Sequence, residues 1–125
     1  MSVSSQSHDT QERGTPVIGF KLLGEDGQPV ASAAMTTMTL TLYDARTNAI
    51  LNSRNAQNVL NANNVTMHAT SGVVTWSIQI ADQPIQNSKL DVEQHIGLFL
   101  FTWSSGTKAW AHQVILNVAN IRRSP

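Results

Sequence analysis

Short stretches in which apolar and polar residues alternate recur along this chain, and they predict extended strands. The clearest is Thr37–Asp44, where Met38, Leu40 and Leu42 fall on one side of a strand and threonines on the other. Further strands are predicted at residues 16–23, 49–52, 65–68, 72–80, 94–103 and 110–118. About seven short strands separated by turn residues, without a long helical pattern, indicate an all-β antiparallel sandwich, and a jelly roll is the alternative.

The last two predicted strands are the most apolar part of the chain. A short polar link that contains one glycine, residues 104–108, joins them, which predicts an antiparallel hairpin. The final strand has one apolar face, but the strand before it is apolar on both. One face carries Ile96, Leu98 and Leu100, and the other carries Phe99, Phe101 and Trp103.

A strand in a two-layer sandwich needs only one buried face, so the second face of residues 95–103 requires another cover. Either the Asn-rich stretch 52–64 or another protein covers it. We predict that the face of Phe99, Phe101 and Trp103 is the one left for a partner.

Two other segments lack a strand pattern. In the stretch 52–64, Ala56, Val59 and Leu60 sit at helical spacing, but asparagine favours turns. We therefore expect an ordered loop with one short helical turn. Residues 1–15 are polar and without periodicity, which predicts a flexible N-terminal arm.

These patterns divide the chain into three parts. An arm (1–15) precedes one β-sandwich domain (16–119), and a short C-terminal tail (120–125) follows it. Arg13 and Val17, where the arm joins the domain, complete the predicted partner interface.

Charged residues make up only 13% of the chain, about half the usual quarter, and polarity comes instead from Asn, Gln, Ser and Thr. Such a surface costs less to dehydrate and suits burial against a partner. The net charge is zero and no basic patch is present, which disfavours direct nucleic-acid binding. The N-terminus lacks an apolar signal segment and no run could span a membrane, so we expect a cytoplasmic protein without a membrane partner.

Candidate chemistry is sparse. Glu93 and His95 point the same way on one strand, and His112 could approach them across the hairpin, but there is no His-x-His, second nearby carboxylate or cysteine. Neither a calcium-loop spacing nor a Gly-x-Ser-x-Gly elbow occurs. We therefore predict no catalytic, cofactor-binding or metal-binding residues and no cofactor. Of the tryptophans, Trp76 and Trp110 are expected in the core, and Trp103 at an interface.

With the strands placed, five segments of the chain resemble small immunoglobulin-like domains of tailed-bacteriophage virion proteins. The resemblance spans residues 17–119 and lies in turns and alternation. The segments are Phe20–Val30, Thr39–Asn48, Gly72–Trp76, Phe101–Trp103 and Gln113–Val118.

The resemblance implies an immunoglobulin-like sandwich and a virion component without enzymatic activity, assembled in the host cytoplasm. The first expectation is a capsid decoration (cement) protein that binds the shell through its arm and its β-domain. A neck, tail or fibre-adaptor subunit is the alternative. The partners would be the major capsid protein or neck and tail subunits, together with further copies of this chain. From outside the family, a carbohydrate-binding module and a small β-barrel enzyme built on Glu93, His95 and His112 remain as competing hypotheses.

Overall fold

The computed structural model describes residues 3–24, 27–85, 91–103 and 108–120, and these residues form two β-sheets. The strands are β1 (Val3–Gln11), β2 (Val17–Lys21), β3 (Met35–Asp44), β4 (Gln57–Asn58), β5 (Val65–Met67), β6 (Val73–Ser77), β7 (Val92–Trp103) and β8 (Lys108–Ala119). Two short 3₁₀ turns, Ser32–Ala34 and Ile80–Asp82, complete the regular structure of the described residues.

The large sheet has the strand order β1-β8-β7-β3-β4, and the small sheet has the order β2-β6-β5. The prediction of an all-β fold is confirmed, and the two sheets are consistent with a sandwich. The strand pairs are antiparallel except for β1 and β8, which run parallel.

The predicted hairpin is present as β7 and β8, which pair from Val92 opposite Ala119 to Trp103 opposite Lys108. The link between them, residues 104–107, lies outside the described residues, as do most of the predicted tail and residues 1–2. The long ladder makes β7 the centre of the large sheet, flanked by β8 and β3.

The core lies between the two sheets and is built on aromatic contacts. Phe20 of the small sheet meets Phe99 edge to face, with ring centroids 5.2 Å apart. Trp76 meets the same ring from β6 at 5.6 Å. Met38, Leu40 and Leu42 point into this core, as the alternation of β3 predicts.

The prediction that Phe99, Phe101 and Trp103 of β7 form a partner face is wrong. Phe99 is 0% exposed, Phe101 1% and Trp103 8%, so these side chains form the intramolecular core. The small sheet, with Phe20 and Trp76, covers them. The opposite face of β7 is less buried: Leu100 is 41% exposed, and Ile96 and Leu98 are half-buried.

The structure also differs from the expected flexible arm. Residues 3–11 form β1, an edge strand paired in register with β8 from Val3 opposite Ala111 to Gln11 opposite Ala119. The segment does alternate, but with polar residues: Gln6, His8 and Thr10 point inward and are half-buried. A search for apolar periodicity does not detect a strand of this kind.

The region between β3 and β5 contains less regular structure than the sequence predicts. Within residues 49–52 there is one isolated bridge, Tyr43 with Ile50, rather than a strand. The stretch 52–64 holds the two-residue β4 and no helical turn. Several of its residues instead adopt positive φ angles: Asn52, Ser53, Ala56, Asn61, Asn63 and Asn64. Asparagine tolerates this left-handed conformation better than most residues.

Candidate functional site

The outward face of the large sheet carries a row of large apolar side chains across neighbouring strands. Tyr43 of β3 lies opposite Ile96 of β7, which lies opposite Ile115 of β8. Ile50, 42% exposed, extends the row through its bridge to Tyr43. Two more leucines follow along β7. We call this set the outer patch: Tyr43, Ile50, Ile96, Leu98, Leu100 and Ile115.

Short polar side chains without charge surround the outer patch. Leu98 is flanked by Thr41 and Gln113 in the pairing register. Near one end of the patch the hydroxyls of Thr37 and Thr102 are hydrogen-bonded at 2.6 Å. Near the other, the Gln94 amide donates to Asn117 Oδ1 at 3.3 Å.

Asp9 is the one charged side chain among the outward-facing residues described on β1, β8, β7 and β3. Removing water from an apolar centre with a neutral rim costs little, and this composition resembles the core of a protein interface.

The outward face of the small sheet is different. Its central row runs through Gly19, Thr75 and Thr66, which are small or hydroxylated. Val17 and Val73 are its exposed apolar residues, at opposite ends of β2–β6. Because they are separated by the polar row, this face offers no continuous apolar surface.

The two remaining predicted interface residues lie at the corner between the sheets. Arg13 is exposed in the turn after β1, and its backbone N–H donates to the carbonyl of Gln83 at 3.0 Å. Val17 is 65% exposed at the start of β2. The structure therefore leaves both accessible, but apart from the outer patch.

The histidines do not converge into a catalytic arrangement. His95 and Glu93 form a fully buried pair, Nε2 to Oε1, at 2.5 Å. His112 lies farther along the hairpin, opposite Phe99, while His95 lies opposite Leu116.

His112 bonds instead to β1. Its Nε2 donates to Gln6 Oε1 at 2.6 Å, and the Gln6 amide donates to His8 Nε2 at the same distance. His112 also stacks on Phe20 with centroids 4.1 Å apart, and burial lowers its pKa below the ordinary value. The structure thus does not place His112 beside the Glu93–His95 pair, as an enzyme site built on these three residues would require.

A buried ion pair organises the Asn-rich loop, and sequence reasoning missed it. Arg54 Nε donates to Asp82 Oδ1 at 2.6 Å, with both side chains almost completely buried. The other guanidinium nitrogens donate to Gln57, to the carbonyl of Asn63, to Asn64 and to the second Asp82 oxygen. One arginine therefore links separate positions of this loop to the 3₁₀ turn Ile80–Asp82 through charge-assisted hydrogen bonds.

Open hollows also lie elsewhere among the described residues, and two of them bring no catalytic groups together. One of about 350 Å³ lies beside β5 and β6, where His68 Nδ1 accepts hydrogen bonds from the backbone of Thr70 and Ser71. The other, of about 460 Å³, is lined by Asp9 to Gln11, Gly14 to Pro16 and Ala119.

Within the described residues there is no group of three His, Cys, Asp or Glu side chains placed to hold a metal ion. The tryptophans offer no platform for a sugar either, because Trp76 and Trp103 are buried and Trp110 packs against the core.

No helix among the described residues has the length and apolarity needed to cross a membrane. Comparisons of the chain with protein-family models, with curated proteins and with solved structures give no match.

Proposed function

We propose that this chain is a non-enzymatic structural subunit of a tailed-phage virion, first of all a capsid decoration protein. It would bind a neighbouring virion protein through the outer patch. The single observation that carries the proposal is the patch itself, an apolar centre with a neutral rim on the open face of the large sheet. A neck, tail or fibre-adaptor subunit remains the alternative, because the same surface would serve there.

We also propose that the sandwich is immunoglobulin-like rather than a jelly roll. Immunoglobulin domains place strands G, F and C in one sheet and B, E and D in the other, and variable-type domains add C′ beside C. Here β8-β7-β3-β4 follows the order G-F-C-C′, and β2-β6-β5 follows B-E-D. This strand order supports the resemblance drawn from the sequence.

The proposal changes how the protein would attach. A draping arm requires a free N-terminal segment, whereas residues 3–11 lie in the domain's own sheet. The outer patch therefore replaces both the arm and the Phe99 face as the proposed contact with the shell. Its nearly charge-free rim suits a permanent contact, in which the surface stays dehydrated.

Co-sedimentation with particles tests the function. The chain would be expressed together with the genes encoded beside it, and particles would be separated from free protein on a density gradient. We expect the chain to sediment with particles in a fixed ratio. Recovery only at the top of the gradient would contradict the proposal, and isolated heads and tails would separate its two versions.

Variants on the two outward faces test the surface. Leu98→Ser with Leu100→Ser should abolish sedimentation with particles. Val73→Ser, on the outward face of the small sheet, is the matched control and should sediment like the unaltered chain. Val17→Ser probes the predicted corner, and a loss there with an unaffected leucine variant would move the interface to that corner.

A further inference from the structure

The N-terminal strand β1 is attached to the rest of the domain differently from β3, β7 and β8, the other long strands of the large sheet. Its described side chains, Ser5 to Gln11, are all polar. Across the ladder, β8 contributes Val114, Leu116 and Val118 to the core, each 0% exposed. The described part of β1 therefore buries no apolar side chain of its own, and the hydrophobic effect adds little to its attachment.

Polar contacts hold β1 in place instead. Gln6 bonds to His112 on β8 and to His8 on β1, both at 2.6 Å. Asn117 donates to Ser7 Oγ at 3.1 Å. Thr10 Oγ1 donates to the buried Gln83 at 2.7 Å. Water can replace such bonds while the strand is detached, and the same bonds re-form when an identical strand returns.

The corner that follows β1 carries backbone strain. Arg13 adopts a left-handed conformation with φ 61°, which is unfavourable for a residue with a Cβ atom. Next to it, Gly14 N–H donates to the carbonyl of Gln11 at 3.0 Å and closes a tight turn. If β1 left its own domain and the corner straightened, Arg13 would return to an ordinary extended conformation. Short, strained hinges of this kind favour strand exchange between copies.

Departure of β1 leaves an edge that needs a strand. β8 would expose one side of a twelve-residue strand, and unpaired edges of that length recruit another extended segment. The β1 of a second copy restores every contact, including the Gln6–His112 and Asn117–Ser7 bonds.

We propose that β1 is an exchangeable strand: the β8 edge of one copy accepts β1 of a second copy, with Glu12–Gly14 as the hinge. The occupant is a second copy of this chain, because only an identical segment reproduces the whole polar register. The inference goes beyond the proposed function, since it concerns the isolated chain and holds whatever the assembled protein binds.

Cross-linking between two single-cysteine variants tests the exchange, and the chain has no native cysteine to interfere. Ser5 and Gln113 are partners across β1 and β8 and both point outward. One variant carries Ser5→Cys, and the other carries Gln113→Cys with a fused tag that makes it larger on a gel. The two are mixed, incubated below the unfolding temperature and treated with a short bismaleimide.

A cross-linked heterodimer is expected, because exchange brings a cysteine on one chain beside the cysteine on the other. Its yield should exceed that of a mixture of Ser5→Cys with Thr66→Cys by about tenfold or more, since a paired strand presents its thiol at roughly millimolar effective concentration. The Ser5→Cys, Gln113→Cys double variant, diluted, should cross-link within one chain and shows that the geometry permits the reaction. No heterodimer above the Thr66→Cys level, with the double variant reacting, would overturn the exchange.

The hinge is tested separately. Arg13→Gly removes the penalty of the left-handed turn and should lower the heterodimer yield several-fold, whereas Arg13→Val raises that penalty and should increase the yield. Unchanged yields in Arg13→Gly would overturn the assignment of this corner as the hinge. That variant keeps the measurement decisive even if Arg13→Val fails to fold.

Discussion

The inward and outward faces of β7 carry large apolar side chains in comparable numbers, but only the inward side chains are covered by a second sheet. Inward, Phe99 and Phe101 are closed over by Phe20 and Trp76 from the small sheet. Outward, Leu98 is half-buried by its neighbours in the sheet, and Leu100 is 41% exposed. Because the two faces of β7 carry similar numbers of large apolar side chains, the hydrophobicity of a face does not by itself tell which one forms the core.

On this one strand, the side chains that build the core point inward, and the side chains that we propose bind a partner point outward. Removing side chains from the inward face should unfold the domain, while removing them from the outward face should leave it folded and weaken binding. Variants on the two faces test this separation, and the largest effect on stability is expected from the inward face.

Truncation of Phe99 tests the inward face most directly. Phe99→Ala deletes a fully buried ring that contacts Phe20 and Trp76, and should cost about 3–5 kcal/mol through lost burial and the cavity left behind. The free energy of unfolding, measured by urea denaturation, checks it. A loss below about 1 kcal/mol would contradict the core position of this ring.

Filling the space beside Gly97 tests how closely the inward face is packed. A Cβ atom at Gly97 would lie 3.0 Å from Trp76 Cζ3, so Gly97→Val should overpack the core and cost about 1–3 kcal/mol. Gly19→Val is the matched control, because the nearest atom to its Cβ is the Val74 carbonyl oxygen at 3.8 Å. Equal unfolding midpoints for the two variants would show that β7 has room at Gly97.

The orientation of β7 could have been predicted from the sequence with one further step. The final strand has one apolar face, with Val114, Leu116 and Val118, and this face alone identifies the inside of the large sheet. Pairing Trp103 with Lys108 places Phe99 opposite His112, and so on the same face as those residues. The alternation predicted the two strands, but the register that links their faces depends on the length of the loop, which alternation does not report.

Other parts of the site depend on contacts that no local pattern contains. The inward residues of β1 are polar, and they are stable there because His112 and Gln83, distant in sequence, bond to them. Arg54 and Asp82 form their pair across 28 positions of chain. Residues 37–44 and 72–80, by contrast, alternate between apolar and polar residues and so predict strands. In the structure, the burial of β3 and β6 repeats with the period of a strand.

The inward face also contains a group that should respond to pH. His112, opposite Phe99, has its pKa lowered by burial, so below about pH 6.5 the unfolded chain binds more protons at this residue than the folded one. Its contribution to stability is fully present above the unfolded pKa and declines as the pH falls below it.

The test compares the unaltered chain with His112→Gln, whose amide can still donate to Gln6. Unfolding free energies between about pH 7.5 and 5 should fall more steeply in the unaltered chain than in the variant. The other histidines are common to both and cancel in the difference. Parallel curves would mean that His112 is as well solvated in the folded state as in the unfolded one.

The smallest effect on stability is expected on the outward face, where it is most informative. Leu100→Ser removes a side chain that is 41% exposed and lies beside Thr39 and Ala111, and should change the free energy of unfolding by only about 0.5 kcal/mol. Paired with the Phe99→Ala value, it measures the difference between two neighbouring positions of β7. If Leu100→Ser destabilises the isolated chain as strongly as Phe99→Ala, the outward face is part of the fold, and the outer patch is not available to a partner. If the Leu100→Ser domain stays stable but no longer sediments with particles, the variant has lost binding without unfolding. That result would locate the interface on this face.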